Sequence, residues 1–564
     1  MRESFRRETV ALGAALATVL ACSLPVQAGM WFKCPGEEGN WTDVTNWYTW
    51  YWYSERPTSI YQRTDVHMEL VKTAIVNTDI TQSQSAYSSL AVGSDLGSNG
   101  KYATLRIENG GKLVGADYKE KVQVGKKINN NAGYGLIDVR SGGEFGGWLY
   151  IGVDGFGIVT NAGTIALTDM HLGVNAGAKG TYVLDGGTVS LPNPKNIFVG
   201  ENGEGELLVN AGTFSWKWYV NKERTEFIGY QRIGCGTEGT GKGTVVVEDG
   251  ASFYNGVSYF GGDATTWGDG LLRMRGGTYW SLATEGLNGS DTLWLGAGQD
   301  ANGAVRTGSH GEIRGWGDFS CHEDEKKPKA ICARLGNGAI IADGEGGERT
   351  LDCSAMWQVT NVLFCAEADR TNGWFAVNKG AVILPIVNAA LDANGGDNWA
   401  CSVGTNAVGC CRSLKKPDLL NAVRIYATRG GWAQQGWFFG AMVLAADRED
   451  AHADALGEGY APLGFWKLGT FGARKLSVPR SYSKARAKFR YDARKISKSD
   501  SRIAVLRWDA ATGKWKRLNR HPVQPMDGIA ESGEFTGESG DADWTLGTFC
   551  VAEDFARGAL IILR

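Results

Sequence analysis

Any chemistry in this chain would have to come from a few dispersed side chains. Hydrolysis of a glycosidic bond needs two carboxyl groups about 5–10 Å apart, one of them protonated. Asp138, Asp154, Asp169 and Asp185 recur at intervals that stacked repeats could align, yet no Asp-Asp pair occurs and Asp185 lies in an Asp-Gly-Gly turn. Aspartates at such corners ordinarily bond their own backbone. Lyase chemistry would want an Arg or Lys base beside a calcium cluster, and no dense acidic cluster accompanies these aspartates. The histidines (His67, His171, His310, His322, His452 and His521) lie far apart, and His171 reads as a packing residue in a strand. Gly234-Cys235-Gly236-Thr237-Glu238-Gly239 matches G-x-G-x-x-G, but a dinucleotide site needs a helix next. Here Thr244-Val245-Val246-Val247 follows, so the motif reads as a turn before a strand. The expectation is a chain with no catalytic residue, no cofactor and no metal, and therefore not an enzyme.

Binding chemistry has better candidates. An aromatic run holds Trp41, Trp47, Tyr48, Trp50, Tyr51, Trp52 and Tyr53. Flat rings stack on sugars, which makes Trp41, Trp47, Trp50 and Trp52 possible glycan contacts. Their place just ahead of the repeats favours the other reading, a cover for the first open edge. Trp216 and Trp218 share a strand face and could extend an aromatic patch. From Arg474 to Arg502 the chain is rich in Lys and Arg; Lys484, Arg486, Lys488 and Arg490 alternate with apolar residues and so lie on one strand face. That face could meet an anionic surface, although a solvated face that discourages edge pairing is the favoured reading.

Composition sets the limits. The 564 residues include 80 glycines, 12 prolines and 21 tryptophans, with 43% hydrophobic residues and a formal net charge of −3. Glycine is about twice its usual share without a three-residue period, which excludes collagen, and the apolar content excludes disorder. A net negative charge argues against nucleic-acid partners. Residues 1–28 read as a secretory signal: Arg2, Arg6 and Arg7, an apolar stretch Val10 to Leu24, then Val26-Gln27-Ala28. Val19-Leu20-Ala21-Cys22 resembles a lipoprotein box, making Cys22 a possible lipidation site. In an exported chain the ten cysteines that follow the signal, most of them crowded between Cys321 and Cys411, are expected to form disulfides. Their spacing does not suit zinc.

The elements that must position these residues come from a repeat. An apolar residue followed by glycine recurs as Val92-Gly93, Val124-Gly125, Ile151-Gly152, Leu172-Gly173, Val199-Gly200, Ile233-Gly234, Phe260-Gly261 and Leu295-Gly296. A second anchor recurs as Asn109-Gly110-Gly111, Ser141-Gly142-Gly143, Asn161-Ala162-Gly163, Asp185-Gly186-Gly187, Asn210-Ala211-Gly212 and Arg275-Gly276-Gly277. Alternating segments such as Thr244-Val245-Val246-Val247-Glu248 lie between them. Period-two alternation with glycine turns predicts strands. Fixed landmarks with variable insertions predict coils that stack, and the spacing is too short for propeller blades. The expected fold is all-β, a right-handed parallel β-helix (solenoid) followed by a small antiparallel β-sandwich. Its predicted divisions are a signal peptide (1–28), an aromatic cap (29–59), the β-helix (60–395), a cysteine-bearing linker (396–415) and the sandwich (416–564).

Gly39-Asn40-Trp41-Thr42-Asp43-Val44-Thr45-Asn46-Trp47, Leu172-Gly173 through Gly187, and Trp374 through Pro385 resemble units of bacterial autotransporter-associated β-strand repeat proteins. The resemblance spans residues 30 to about 390. It implies a secreted, passenger-like β-helix. The alternating lipid-facing strands of a membrane barrel find no room after residue 415, so a passenger without its own barrel is expected. The function expected is an exported structural or adhesive cell-surface protein whose rod presents a surface to glycans or envelope components. The alternative is a polysaccharide lyase or glycoside hydrolase on the same scaffold.

Overall fold

The computed structural model describes residues 30–49, 65–386 and 423–555, apart from short internal stretches, the longest of which are 216–229, 282–292, 322–330, 365–373 and 429–437. The signal segment, Cys22, Trp50, Trp52, Trp216, Trp218 and the 396–415 linker lie outside the described residues. The molecule is all-β, with 63% strand and 3% helix.

Between residues 65 and 386 the chain visits three ladders of parallel strands in turn. In the first, Asp65–Met68, Ser89–Val92, Lys121–Val124 and the end of Glu144–Ile151 pair successively. The end of Thr164–Leu172, then Asn196–Val199, Tyr230–Ile233, Val257–Phe260 and Leu293–Leu295 continue it. The second runs from Thr73–Val76 through Ala103–Ile107, Tyr134–Val139 and Phe156–Asn161 to the starts of Lys179–Ser190 and Glu204–Ser215, then on to Gly241–Glu248. The third holds the remaining halves of the long strands, such as Thr188–Ser190 beside Thr213–Ser215. Consecutive apolar positions therefore stack on themselves: Leu105, Ile137, Val159, Tyr182, Leu207 and Val245 are all buried in one register row. No single repeat could cover such a row alone, which is why the burial is shared along the ladder.

The apolar–glycine anchors turn the chain between the first and second ladders. Gly234 shows why the residue must be glycine: φ is +63°, and a Cβ there would lie 1.7 Å from the Asp269 carbonyl oxygen. Its N–H donates to the Val199 carbonyl, 2.7 Å away in the preceding repeat. The G-x-G-x-x-G segment is accordingly a turn, and it leads into the strand Gly241–Glu248.

Both described ends of the ladders are covered. Met30–Phe32 pairs antiparallel with Trp47–Thr49 and parallel with Asp65–Met68. At the other end Ala381–Ile386 pairs antiparallel with Phe438–Leu444. That strand begins a sheet continued by Tyr460–Phe471, Gly547–Asp554, Arg502–Asp509 and Lys514–Arg517. A second antiparallel sheet, Val423–Thr428, Lys484–Arg490 and Ile529–Glu531, faces it through the rings of Trp466, Phe489 and Phe549. Arg448 ties the two parts, donating to the Glu348 carbonyl and the Thr350 hydroxyl while Asp450 holds its guanidinium bidentately at 2.7 Å.

Of the cysteines, Cys34, Cys235 and Cys550 are buried free thiols, so the disulfide expectation does not hold for them. The Cys235 thiol donates to the Ile233 and Tyr259 carbonyls, and burial pushes it up to about 12.

Candidate functional site

The outer face of the first ladder carries one continuous column. In register, Gln123 is followed by Tyr150, His171, Phe198, Arg232, Tyr259 and Trp294. These are the residues immediately before the apolar–glycine anchors. Their alternate neighbours, such as Leu149, Ile151, Leu172 and Val199, point inward and are fully buried. Parallel strands in register sit about 4.8 Å apart, close to the separation at which rings stack. Tyr150 and His171 accordingly stack at 4.5 Å and 9°, and His171 and Phe198 at 4.8 Å and 17°. The Arg232 guanidinium lies 5.2 Å from the Phe198 ring and 5.9 Å from Tyr259, which in turn meets Trp294 at 5.6 Å. Lys121 begins the column, with Nζ 4.5 Å above Tyr150. Cation and ring alternate, a favourable electrostatic order.

Carboxylates from neighbouring repeats flank the column. His171 Nδ1 donates to Glu201 Oε2 at 2.9 Å, and Nε2 faces Asp169 Oδ1 at 3.5 Å. Burial alone would lower the His171 pKa; the hydrogen bonds to Asp169 and Glu201 more than reverse this and raise it to about 9. The imidazole is therefore a cation at neutral pH. Burial and then the charges of Asp169 and Glu201 push the Tyr150 phenol upward. Arg232 Nε donates to Asp263 Oδ2 at 2.7 Å. Burial would raise the Asp263 pKa, but this bond and those from Thr265 and Thr266 hold it below the usual carboxylate range. Shorter stacks lie on the other outer faces: Tyr134 on Phe156 at 4.9 Å, and Tyr254 on Trp280 at 5.1 Å.

The residues singled out from sequence are distributed differently. Trp41 and Trp47 are 1% and 0% exposed. Their rings meet edge-on at 4.7 Å, and Trp47 Nε1 donates to the Trp41 carbonyl at 2.7 Å. Neither ring has a face left for a sugar, so both leave the list of glycan contacts and fill the core beneath the first strands. Lys484, Arg486 and Lys488 project from one face, while Ala485, Ala487 and Phe489 are buried opposite. Lys484 meets Glu534 at 2.9 Å, and Glu531 receives Lys488 at 3.1 Å and Arg486 at 3.6 Å. These three cations thus have carboxylate neighbours; the Arg490 side chain lies outside the described residues. Asp138 accepts from the Thr160 hydroxyl, Asp154 from the Asn175 amide, and Asp185 is exposed in its turn. Asp138 also faces Arg140 at 3.1 Å and Arg106 at 3.9 Å, whereas Asp169 meets a histidine. His171 looked isolated because its partners lie 30 residues on (Glu201) and one repeat back (Tyr150). The position before each anchor was the signal that exposes the column.

Among the described residues no group of three or more His, Cys, Asp and Glu could hold a metal ion. No helix among them is long and apolar enough to cross a membrane. No family model, no curated protein and no solved structure matches this chain.

Proposed function

We propose that the chain is an exported structural or adhesive rod, secreted or held at the cell surface, built as a right-handed parallel β-helix with an aromatic N-terminal cap and a C-terminal antiparallel β-sandwich. The three-ladder parallel pairing supports the β-helix reading, and the two facing antiparallel sheets support the sandwich. This arrangement also fits the likeness to autotransporter passenger repeats. The observation that carries the functional part is the column from Lys121 to Trp294. It is a long, regular, partly exposed face of rings, cations and carboxylates, suited to extended contact with glycans or envelope components.

A second reading, a polysaccharide lyase or glycoside hydrolase, draws on one observation: Asp169 and Glu201, from successive repeats, converge on His171. A cationic imidazole cannot accept a proton, and bonded between two carboxylates it compensates their charge instead of activating a nucleophile. The trio therefore suits a structural ion cluster better than a general base.

Glycan-array binding run beside a polysaccharide-degradation screen on the purified full chain separates the two. Binding without turnover is expected. Turnover that disappears in Glu201→Gln would replace the rod reading with the enzyme, and absence of binding to any glycan or envelope fraction would remove the contact face.

A further inference from the structure

The second ladder turns a mixed face outward. Six of its strands, starting at Phe156, Lys179, Glu204, Gly241, Gly268 and His310, lie side by side in register. Ile158, Val183, Leu208 and Leu271 are half-exposed on that face, with Val246 among them at 7%. Phe156 stands at one end of it, 38% exposed. The central strands are entered through short turns at 152–155, 173–178 and 200–203, none of which carries an insertion that could cross the face.

Charge gives the face a direction. The row that begins with Phe156 continues, one strand at a time, as Lys179, Glu204, Lys242 and Asp269. All four are exposed, and none forms an ion pair among the described residues. The order is plus, minus, plus, minus, at about 4.8 Å per step. Turned end for end and laid face to face, this row is its own complement. Lys179 meets Asp269 of the other copy, Glu204 meets Lys242, and each contact occurs twice. A two-fold axis parallel to the strands does this, because it reverses the order of strands and keeps each row opposite itself. The same axis lays Leu208 on Val246 of the other copy, removing apolar surface from water at the centre. A two-fold axis along the rod would instead lay the charged row on Val183, Leu208 and Val246, leaving the charges unpaired.

We propose that a second copy of this chain docks antiparallel on this face, forming a dimer through the Lys179–Asp269 and Glu204–Lys242 contacts around an apolar centre. Six strands at about 4.8 Å, with about 17 Å of each strand in contact, give about 500 Å² per copy. The pair buries about 1,000 Å², the lower limit of a specific interface, so association should be reversible and in the micromolar range. The first-ladder column from Tyr150 to Trp294 lies on another face, so this pairing does not depend on the contact reading above.

The test is sedimentation velocity of the full chain over a series spanning about 1–200 μM. A concentration-dependent shift from monomer to dimer is expected, weaker at high salt. Lys179→Glu and Asp269→Lys should each weaken the dimer about tenfold, because each sets like charges opposite one another twice. The double variant Lys179→Glu/Asp269→Lys restores opposite pairs and should recover dimerisation. Lys514→Glu, exposed on the C-terminal sheet, should change nothing. Leu208→Arg places a charge at the centre and should give monomer, with an unchanged urea midpoint showing that it is folded; the charge swap decides the matter should that variant fail to fold. A parent that stays monomeric throughout the series overturns the proposal. So does a dimer indifferent to the single charge reversals, a swap that fails to recover it, or a folded Leu208→Arg that still dimerises, since the copies would then meet on another face or in another register.

Discussion

The His171 cluster makes stability depend on pH in a direction set by its geometry. Enclosed by Tyr150, Phe198, Asp169 and Glu201, the imidazole binds its proton more tightly in the folded chain, with its pKa raised from 6.5 to about 9. Its contribution is therefore complete below about pH 6.5 and is lost as pH climbs through about 9. That rise, at about 1.4 kcal/mol per pH unit, is worth about 3 kcal/mol. The ring is only 9% exposed, so solvent screening removes little of it. The assay compares urea unfolding of the parent and His171→Gln at pH 6, 7.5 and 9.5 at constant ionic strength. His310, also raised by Glu312, titrates in both proteins and cancels in the difference. The stability gap between parent and variant should shrink by about 3 kcal/mol from pH 6 to pH 9.5. A gap that stays constant, or widens, would refute the ion-cluster account of His171. In that case the second reading, with His171 neutral and able to take a proton, gains ground.

Four further outcomes follow from packing. Trp47→Ala removes a fully buried ring that abuts Trp41 and Phe32, and should cost about 3–5 kcal/mol in chemical unfolding. Gly234→Ala should destabilise by more than the 1–2 kcal/mol of a left-handed backbone, because its Cβ would also meet the Asp269 carbonyl; an unchanged melting temperature would contradict that turn. Gln231 lies fully buried in the inward row between Ile197 and Ser258, with neither amide atom bonded. Gln231→Leu should stabilise by about 1–3 kcal/mol, and destabilisation would point to a bound water there. Cys34, Cys235 and Cys550 should react with a thiol reagent only after denaturation, counted spectrophotometrically.

Much of the architecture was legible because its causes are local. Glycines at Gly125, Gly152, Gly173, Gly200 and Gly234 mark positive-φ corners, and that demand falls on one residue at a time. Alternation in Lys484–Arg490 announced one buried and one charged face, and the strand shows both. The turn at Asp509–Gly513 closes as its residues suggest, with Gly513 N–H on the Asp509 carbonyl at 2.9 Å. The fate of the tryptophans was harder to read. An aromatic run suits a sugar or a core equally well by composition, and only the burial of Trp41 and Trp47 decides between them.

What sequence determined by itself is thus the strand, the corner and the inward or outward sense of each side chain, since each depends on neighbours one or two residues away. What only the tertiary structure decided is which outward residues become neighbours. Parallel stacking brings together residues separated by whole repeats, and the anchors are spaced by as little as 21 residues (Gly152 to Gly173) and as much as 35 (Gly261 to Gly296). Insertions of that variable length hide the register from a linear reading, while the hydrogen-bonded ladders restore it at about 4.8 Å per step. His171 is a lone histidine along the chain; in the ladder it lies between two rings and two carboxylates, because backbone pairing, not sequence distance, sets what it touches.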